Sequence, residues 1–388
     1  MNEARSWTRR FRPLIRGRFL LIAAIVVIVS ASSHAQDSKL PAGQREQIQV
    51  AISKFMSANH VPGLSAAVVE NGEYLWSDGF GMADLENSVP ATSLTLYRLG
   101  SISKPLTATG AMLLWERGKL DLDVPVQRYC TAFPQKPWVV TTREVLGHLA
   151  GIRHYHQDAP PDDPELANTK HFDDPIAAGL KFFAGEPLLF QPGTKFNYST
   201  HGYTLAGCVI EGASNEKYAD YMRENVFLPA NMVRTQQDDR YTVIPYRTRF
   251  YSLDKSGRVI NADFLDSSYK LPGGGLLSSA DDMARFEVAL LNDQLLHRAT
   301  RDAMWTPQKD ADGKQNGYAL GWGNGNKGGI ATVGHTGSQQ GTSTAMALAP
   351  GLRDGVIVLA NMEDADTSAL ASELLKIVIA KPAGTPAK

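Results

Sequence analysis

The chain predicts an α+β fold: an antiparallel sheet built from both ends and flanked by helices, with a mostly helical region inserted between. Three observations carry this. Hairpin signals stand near each end, helical apolar spacing accompanies both hairpins, and the middle holds capped helices and loops. Because hairpins dominate, the strands run antiparallel. The sheet is expected at about 45–100 and 300–380, and the helical region at about 101–299.

The elements follow in order. Gln44 to Ala58 has helical spacing through Ile48, Ile52, Phe55 and Met56. Leu64 to Val69 and Tyr74 to Trp76 flank Asn71-Gly72, the strongest short hairpin signal. Leu106, Met112, Leu113 and Trp115 form an apolar helical face that Gly118 ends. Pro105 is tolerated only in a first turn, so that helix starts near Ser103 or Lys104. Thr141-x-x-Glu144 is a capping box, and Gly151 is expected to close its helix. A helix from His201 to Gly212 follows Tyr198 directly, and Ser279-x-x-Asp282 opens another over Met283 to Leu291. Thr344 to Leu348 and Val356 to Ala360 flank Pro350-Gly351 and Asp354-Gly355 as a second hairpin, before helical spacing from Asp366 to Ala380. Residues 381–388, rich in Pro, Ala and Gly, read as a frayed tail.

Residues 1–35 read as a signal peptide. Arg5, Arg9, Arg10, Arg12, Arg16 and Arg18 make a basic region, Phe19 to Val29 is unbroken apolar sequence, and Ser33-His34-Ala35 offers a cleavage site. Periplasmic or secreted export is therefore expected, with an uncleaved anchor as the alternative; the apolar run is short against the ~20 residues of a span. This segment carries +5 and the whole chain −1, which leaves −6 on residues 36–388. Such a mildly acidic chain has no basic footprint for nucleic acid. Cys130 and Cys208 are the only cysteines. Cys208 lies in an apolar run and reads as a small buried hydrophobe; spacing alone leaves a Cys130–Cys208 bridge undecided.

Four Ser-x-x-Lys tetrads begin at Ser101, Ser214, Ser252 and Ser267. With 25 serines and 17 lysines in 388 residues, about one such tetrad is expected by chance. Only Ser101-Ile102-Ser103-Lys104 opens an apolar helix, where free N–H groups favour developing negative charge. Three-residue spacing lets the Lys104 amine reach Ser101 Oγ. Alone, Ser101 would read as an N-cap, Tyr198 as a surface aromatic after Gln191-Pro192-Gly193, and His335-Thr336-Gly337 as a strand-to-turn segment. In this order, the three form a serine acyl-transfer site. A serine hydroxyl needs a base; Lys104 serves only if neutral and Tyr198 only as phenolate, and the sequence leaves both open. The other three tetrads read as turn and cap residues.

Arg98-Leu99-Gly100-Ser101-Ile102-Ser103-Lys104-Pro105, Tyr198-Ser199-Thr200, Gly273-Gly274-Gly275 and His335-Thr336-Gly337-Ser338 together resemble the serine β-lactamase and penicillin-binding protein superfamily. Tyr246-Arg247-Thr248-Arg249-Phe250-Tyr251 and Ser268-Tyr269-Lys270-x-x-Gly273 resemble its class C-related branch, in particular the mitochondrial serine β-lactamase-like subgroup and its bacterial relatives. The resemblance covers nearly all of residues 45–380. It implies a β-lactamase/transpeptidase-like fold, Ser101 as acylated nucleophile, and Lys104 and Tyr198 sharing proton transfer. It further implies an oxyanion hole from the backbone N–H of Ser101 and Ser338, and substrate binding by Thr200, His335, Thr336 and Gly337. No metal or cofactor is implied.

Two positions depart from the family pattern. His335 stands where lysine is usual, and Thr200 where asparagine is usual. Neutral His335 offers a substrate carboxylate no permanent cation. The expected activity is thus a peptidase, amidase or esterase acting on a small molecule or peptide, with a true β-lactamase or D-alanyl-D-alanine carboxypeptidase as the alternative. A zinc hydrolase is the rival of another class, from His154-x-His156-x-Asp158 with His148 nearby. A capped helix and Gly151 precede that string rather than a buried strand, so solvated loop histidines are expected there. A non-catalytic, filament-forming module is the third reading, and self-association is left open.

Overall fold

Two hairpins, one from each end of the chain, supply most of a single seven-stranded sheet. The computed structural model describes residues 39–156, 163 and 165–380; the expected signal peptide, the frayed tail and Asp158 lie outside the described residues. Strands β1 (Gly63–Glu70) and β2 (Glu73–Asp84) turn through Asn71 and Gly72, and β3 (Val89–Pro90) adds to β2. The second set is β4 (Gly323–Lys327), β5 (Ile330–Gln339), β6 (Thr342–Ala349) and β7 (Asp354–Ala360). Their order is β3-β2-β1-β7-β6-β5-β4, and the main pairings are antiparallel. The two hairpins meet at the β1–β7 pairing, where Leu64 faces Ala360 and Val68 faces Val356.

Both faces of the central strands are covered, so they read as nearly unbroken apolar runs. Helix α1 (Ala42–Ala58) is followed by α2 (Ser103–Glu116), α3 (Thr142–Leu146), α4 (Thr200–Ser214), α5 (Ala280–Leu291) and α6 (Thr367–Ile379), with further helices between, among them Pro175–Lys181 and Arg298–Trp305. Ile48 and Ile52 of α1 and Leu370 and Leu374 of α6 pack on Ala66, Val68, Val356 and Val358. The alternate residues Ala67, Val69, Ile357 and Leu359 face the larger core, with Leu106 and Met112 of α2 and Leu205 and Val209 of α4. The α+β architecture is as the sequence predicts.

Two local readings are corrected. The capping box at Thr141 and Glu144 forms, but its helix ends at Leu146 with Gly147 as cap, and not at Gly151. The chain turns left-handed immediately afterwards, at His148 (φ +59). Cys208 is no simple buried hydrophobe: it is bonded to Cys130, 78 positions away, with 5.3 Å between the Cα atoms. The bridge ties α4 to the loop before α3. No helix among the described residues is long and apolar enough to cross a membrane.

Candidate active site

A single 3₁₀ turn, Gly100–Ile102, runs straight into α2 and sets Ser101 at its entrance. Pro105 sits in the first turn of α2, as its missing N–H requires. Gly100 has φ +51, and a β-carbon there would lie 2.9 Å from Ser338 N. The nucleophile turn and β5 are therefore in direct backbone contact. Strand β4 pairs with β5 only from Ile330 to Gly334. That leaves His335 to Gln339 with no strand partner on the edge beside Gly100. Ser338 stands on this stretch.

Lys104 is completely buried. Its Nζ lies 2.9 Å from Ser101 Oγ, 2.8 Å from the Gly273 carbonyl and 3.2 Å from Thr200 Oγ1. No carboxylate is among these contacts. The Tyr198 and Tyr203 rings lie 4.8 and 5.6 Å from the amine. Burial, aided by the charge of Lys270, pushes the Lys104 amine well below the ordinary lysine range. Burial pushes the Tyr198 phenol in the opposite direction, above the ordinary value, and outweighs the lowering effect of the nearby Ser101 hydroxyl.

The remaining predicted residues converge on the same place. Thr200 is the first residue of α4, behind the N-cap Ser199, whose Oγ accepts from Gly202 N–H. Thr200 is buried with its hydroxyl on Lys104. His335 Nδ1 donates to the Thr336 carbonyl at 2.6 Å, and its Nε2 accepts from Tyr318 Oη at 2.9 Å. A carbonyl only accepts, so Nδ1 carries a proton, and Nε2 accepts from Tyr318 when the ring is neutral. Burial and the nearby Lys104 hold His335 at about 3. Gly337 is a position of close approach, because a β-carbon there would overlap the Leu99 carbonyl. A cleft of about 390 Å³ opens along Tyr198, Tyr318, His335 and Thr336. Ser101 is not in its walls; Tyr198 and His335 are what the cleft shares with the nucleophile.

Several residues beside the site escape sequence reasoning. His148 and His154 are not solvated loop histidines. His148 is buried, and its Nδ1 accepts from Ser199 N–H at 3.1 Å. His154 is half-buried, its Nδ1 accepts from Thr200 N–H at 3.3 Å, and burial with the Lys104 charge holds it at about 3. Lys270, set aside with a chance tetrad, is buried at 5 % exposure. Its Nζ lies 5.6 and 5.5 Å from the Tyr155 and Tyr269 rings, and desolvation with the Arg98 charge lowers it to about 7. Ser267 is fully buried rather than in a polar turn. The one advance signal for Lys270 was its place three residues before Gly273.

The arrangement is that of a half-buried serine beside a buried lysine with a tyrosine at hand, mounted between a sheet edge and a helical region. The Beta-lactamase family model matches residues 48–384. The chain belongs to that family. It is 34% identical over 348 residues to the mitochondrial serine beta-lactamase-like protein LACTB of Mus musculus, covering 68% of this chain and 63% of the relative. It is 29% identical over 339 residues to penicillin-binding protein 4* of Bacillus subtilis, covering 83% and 72%. The chain thus spans a little under two thirds of the LACTB length. Among solved structures, the octameric penicillin-binding protein homologue from Pyrococcus abyssi superposes with a TM-score of 0.74 at 26% identity, covering 87% of this chain and 78% of that one. The D-amino acid amidase from Ochrobactrum anthropi SV3 matches at 0.74 and 23% identity, covering 87% and 99%, and shares the fold.

Proposed function

We propose that this chain is a serine hydrolase that cleaves an amide or ester bond through an acyl-enzyme on Ser101, as a peptidase, amidase or esterase. The observation that carries the reading is Lys104: a fully buried amine, 2.9 Å from Ser101 Oγ, without a carboxylate to hold its proton. A neutral amine has two N–H groups and one lone pair. The N–H groups suit the Gly273 carbonyl and Thr200 Oγ1, and the lone pair suits the Ser101 hydroxyl proton. Lys104 takes that proton as Ser101 Oγ attacks the carbonyl carbon. The backbone N–H groups of Ser101 and Ser338 hold the resulting oxyanion, a contribution of about 3–4 kcal/mol where donors are well placed. Tyr198, held as a phenol, gives its proton to the leaving amine or alcohol and takes the proton on Lys104 in return, which restores the amine. Water then attacks the acyl-enzyme with Lys104 again as base, freeing the acid and Ser101. Thr200 acts behind Lys104, while Thr336 and the free edge of β5 receive the substrate.

Neutral His335 favours substrates without a carboxylate at that end, which separates this reading from a β-lactamase or carboxypeptidase. The Ochrobactrum anthropi neighbour, by its description a D-amino acid amidase, supports the amidase branch. Intact-mass analysis with a fluorophosphonate and with a penicillin, on wild type and Ser101→Ala, tests the proposal. One fluorophosphonate adduct on wild type only is expected, with slow or absent penicillin acylation. Equal labelling of Ser101→Ala would refute it. We place the protein in the periplasm or outside the cell; the Cys130–Cys208 bridge suits an oxidising compartment. The octameric Pyrococcus abyssi homologue supports self-association, which light scattering would measure.

A further inference from the structure

His148 stands in the left-handed region, at φ +59, where non-glycine residues are uncommon. That turn delivers both its backbone and its ring to the segment carrying Tyr198. Its carbonyl oxygen accepts from Asn197 N–H at 2.9 Å, and its Nδ1 accepts from Ser199 N–H at 3.1 Å. The residues immediately before and after Tyr198 are thus both bonded to His148. Its imidazole also lies 4.3 Å, centroid to centroid, from the Tyr198 phenol. Tyr318, Tyr203 and Phe196 rings stand around it at 4.7, 5.3 and 5.8 Å. An Nδ1 that accepts from an amide N–H carries a lone pair, so the ring proton is on Nε2. That Nε2 is buried without an acceptor among the described residues. Nothing in these contacts gives His148 access to a substrate.

We propose that His148 is the positioning residue for Tyr198: it clamps the backbone on both sides of the tyrosine, packs on its ring, and so fixes the phenol against Ser101. The proposal rests on the role given to Tyr198 above. A reacting group misplaced by about 1 Å costs on the order of 100-fold in rate.

The test compares His148→Asn and His148→Phe, each in wild type and in Tyr198→Phe, by kcat and KM on a nitroanilide, whose leaving amine must be protonated, with Tm measured alongside. Asparagine keeps a short acceptor for Ser199 N–H and tolerates the left-handed backbone; phenylalanine keeps only a ring. His148→Phe should lower kcat about 100-fold with KM within about threefold, and His148→Asn should regain at least about tenfold. In Tyr198→Phe, neither change should alter kcat further, because residues acting through one another are not additive. If His148→Phe does not fold, His148→Gln, whose amide oxygen sits one carbon further out, replaces it with the same expectations. An equal kcat loss in both backgrounds overturns the proposal, as does equal activity of the Asn and Phe variants at equal Tm. Wild-type kcat in Tyr198→Phe alone would remove the role of Tyr198 itself, and is read separately from the His148 comparison.

Discussion

Replacing Gly100 with alanine tests whether the spacing between the nucleophile turn and β5 sets the rate. The added β-carbon would lie 2.9 Å from Ser338 N, 3.2 Å from Gly337 C and 3.3 Å from Gly337 Cα. It would fall about 0.5 Å short of ordinary contact with rigid strand backbone, so the turn must move away from Ser338. The left-handed φ of +51 adds about 1–2 kcal/mol of strain for a residue with a β-carbon. Losing an oxyanion donor outright costs about 10²–10³ in rate, so partial separation should cost about 10–100-fold in kcat/KM. The assay is the second-order rate of fluorophosphonate labelling by intact mass, with Tm recorded. Gly118→Ala is the control: its φ is +68 and nothing lies within 4 Å of its added β-carbon. Gly118→Ala should lose similar stability and label at the wild-type rate. Wild-type labelling of a destabilised Gly100→Ala would refute the spacing argument.

Three further outcomes follow from buried charges and the bridge. Lys270 drops from 10.5 to about 7 on folding, so between those values the unfolded chain holds the extra proton and stability rises with pH. At about 1.4 kcal/mol per unit, Lys270→Met should stabilise the fold by a few kcal/mol below pH ~7 and flatten that rise; denaturant unfolding against pH reads both. His154 and His335 are held at about 3. Unfolded histidines charge near pH 6.5, so stability should fall as pH drops from about 6.5 toward 3, and His335→Gln should blunt the loss. Finally, the bridge closes a loop with a sequence separation of 78. By chain entropy Cys130→Ser/Cys208→Ser should lose about 4–5 kcal/mol, seen as a lower Tm that reductant no longer changes.

The parts of this structure that sequence reveals are those governed by local rules. Asn71-Gly72 and the second hairpin mark both sheet ends because turn chemistry is written in adjacent residues. Pro105 fixes the start of α2 to within a residue, and ordered motifs bring Ser101, Lys104, Tyr198, Thr200 and His335 into one neighbourhood. What escapes depends on distant packing. Lys270 looks solvated in its own segment and becomes buried only when its turn docks behind the Ser101 region. The end of α3 is equally non-local. Gly147 and His148 stop it early because the chain must turn left-handed to reach Asn197 and Ser199. Cys130 and Cys208 are brought together by tertiary packing, which spacing does not encode.

One physical cause separates the two groups that sequence left as rival bases. Desolvation favours the neutral form of any ionisable group. For Lys104 the neutral form is the amine, which has a lone pair for the Ser101 proton. For Tyr198 the neutral form is the phenol, which has a proton to give and no strong basicity. The same enclosure of tyrosine and histidine rings therefore pushes Lys104 down and Tyr198 up. Under the proposed function, that suits the first to serve as the base and the second as the proton donor. His335 obeys the same rule, so the cleft meets substrate with neutral groups along β5. Lys270 is the exception, since its proton affinity near 7 leaves it partly charged at neutral pH. Its charge in turn disfavours a second cation at Lys104. Buried Lys270 thus adds to what burial begins, favouring the neutral amine beside Ser101 that the proposed function requires.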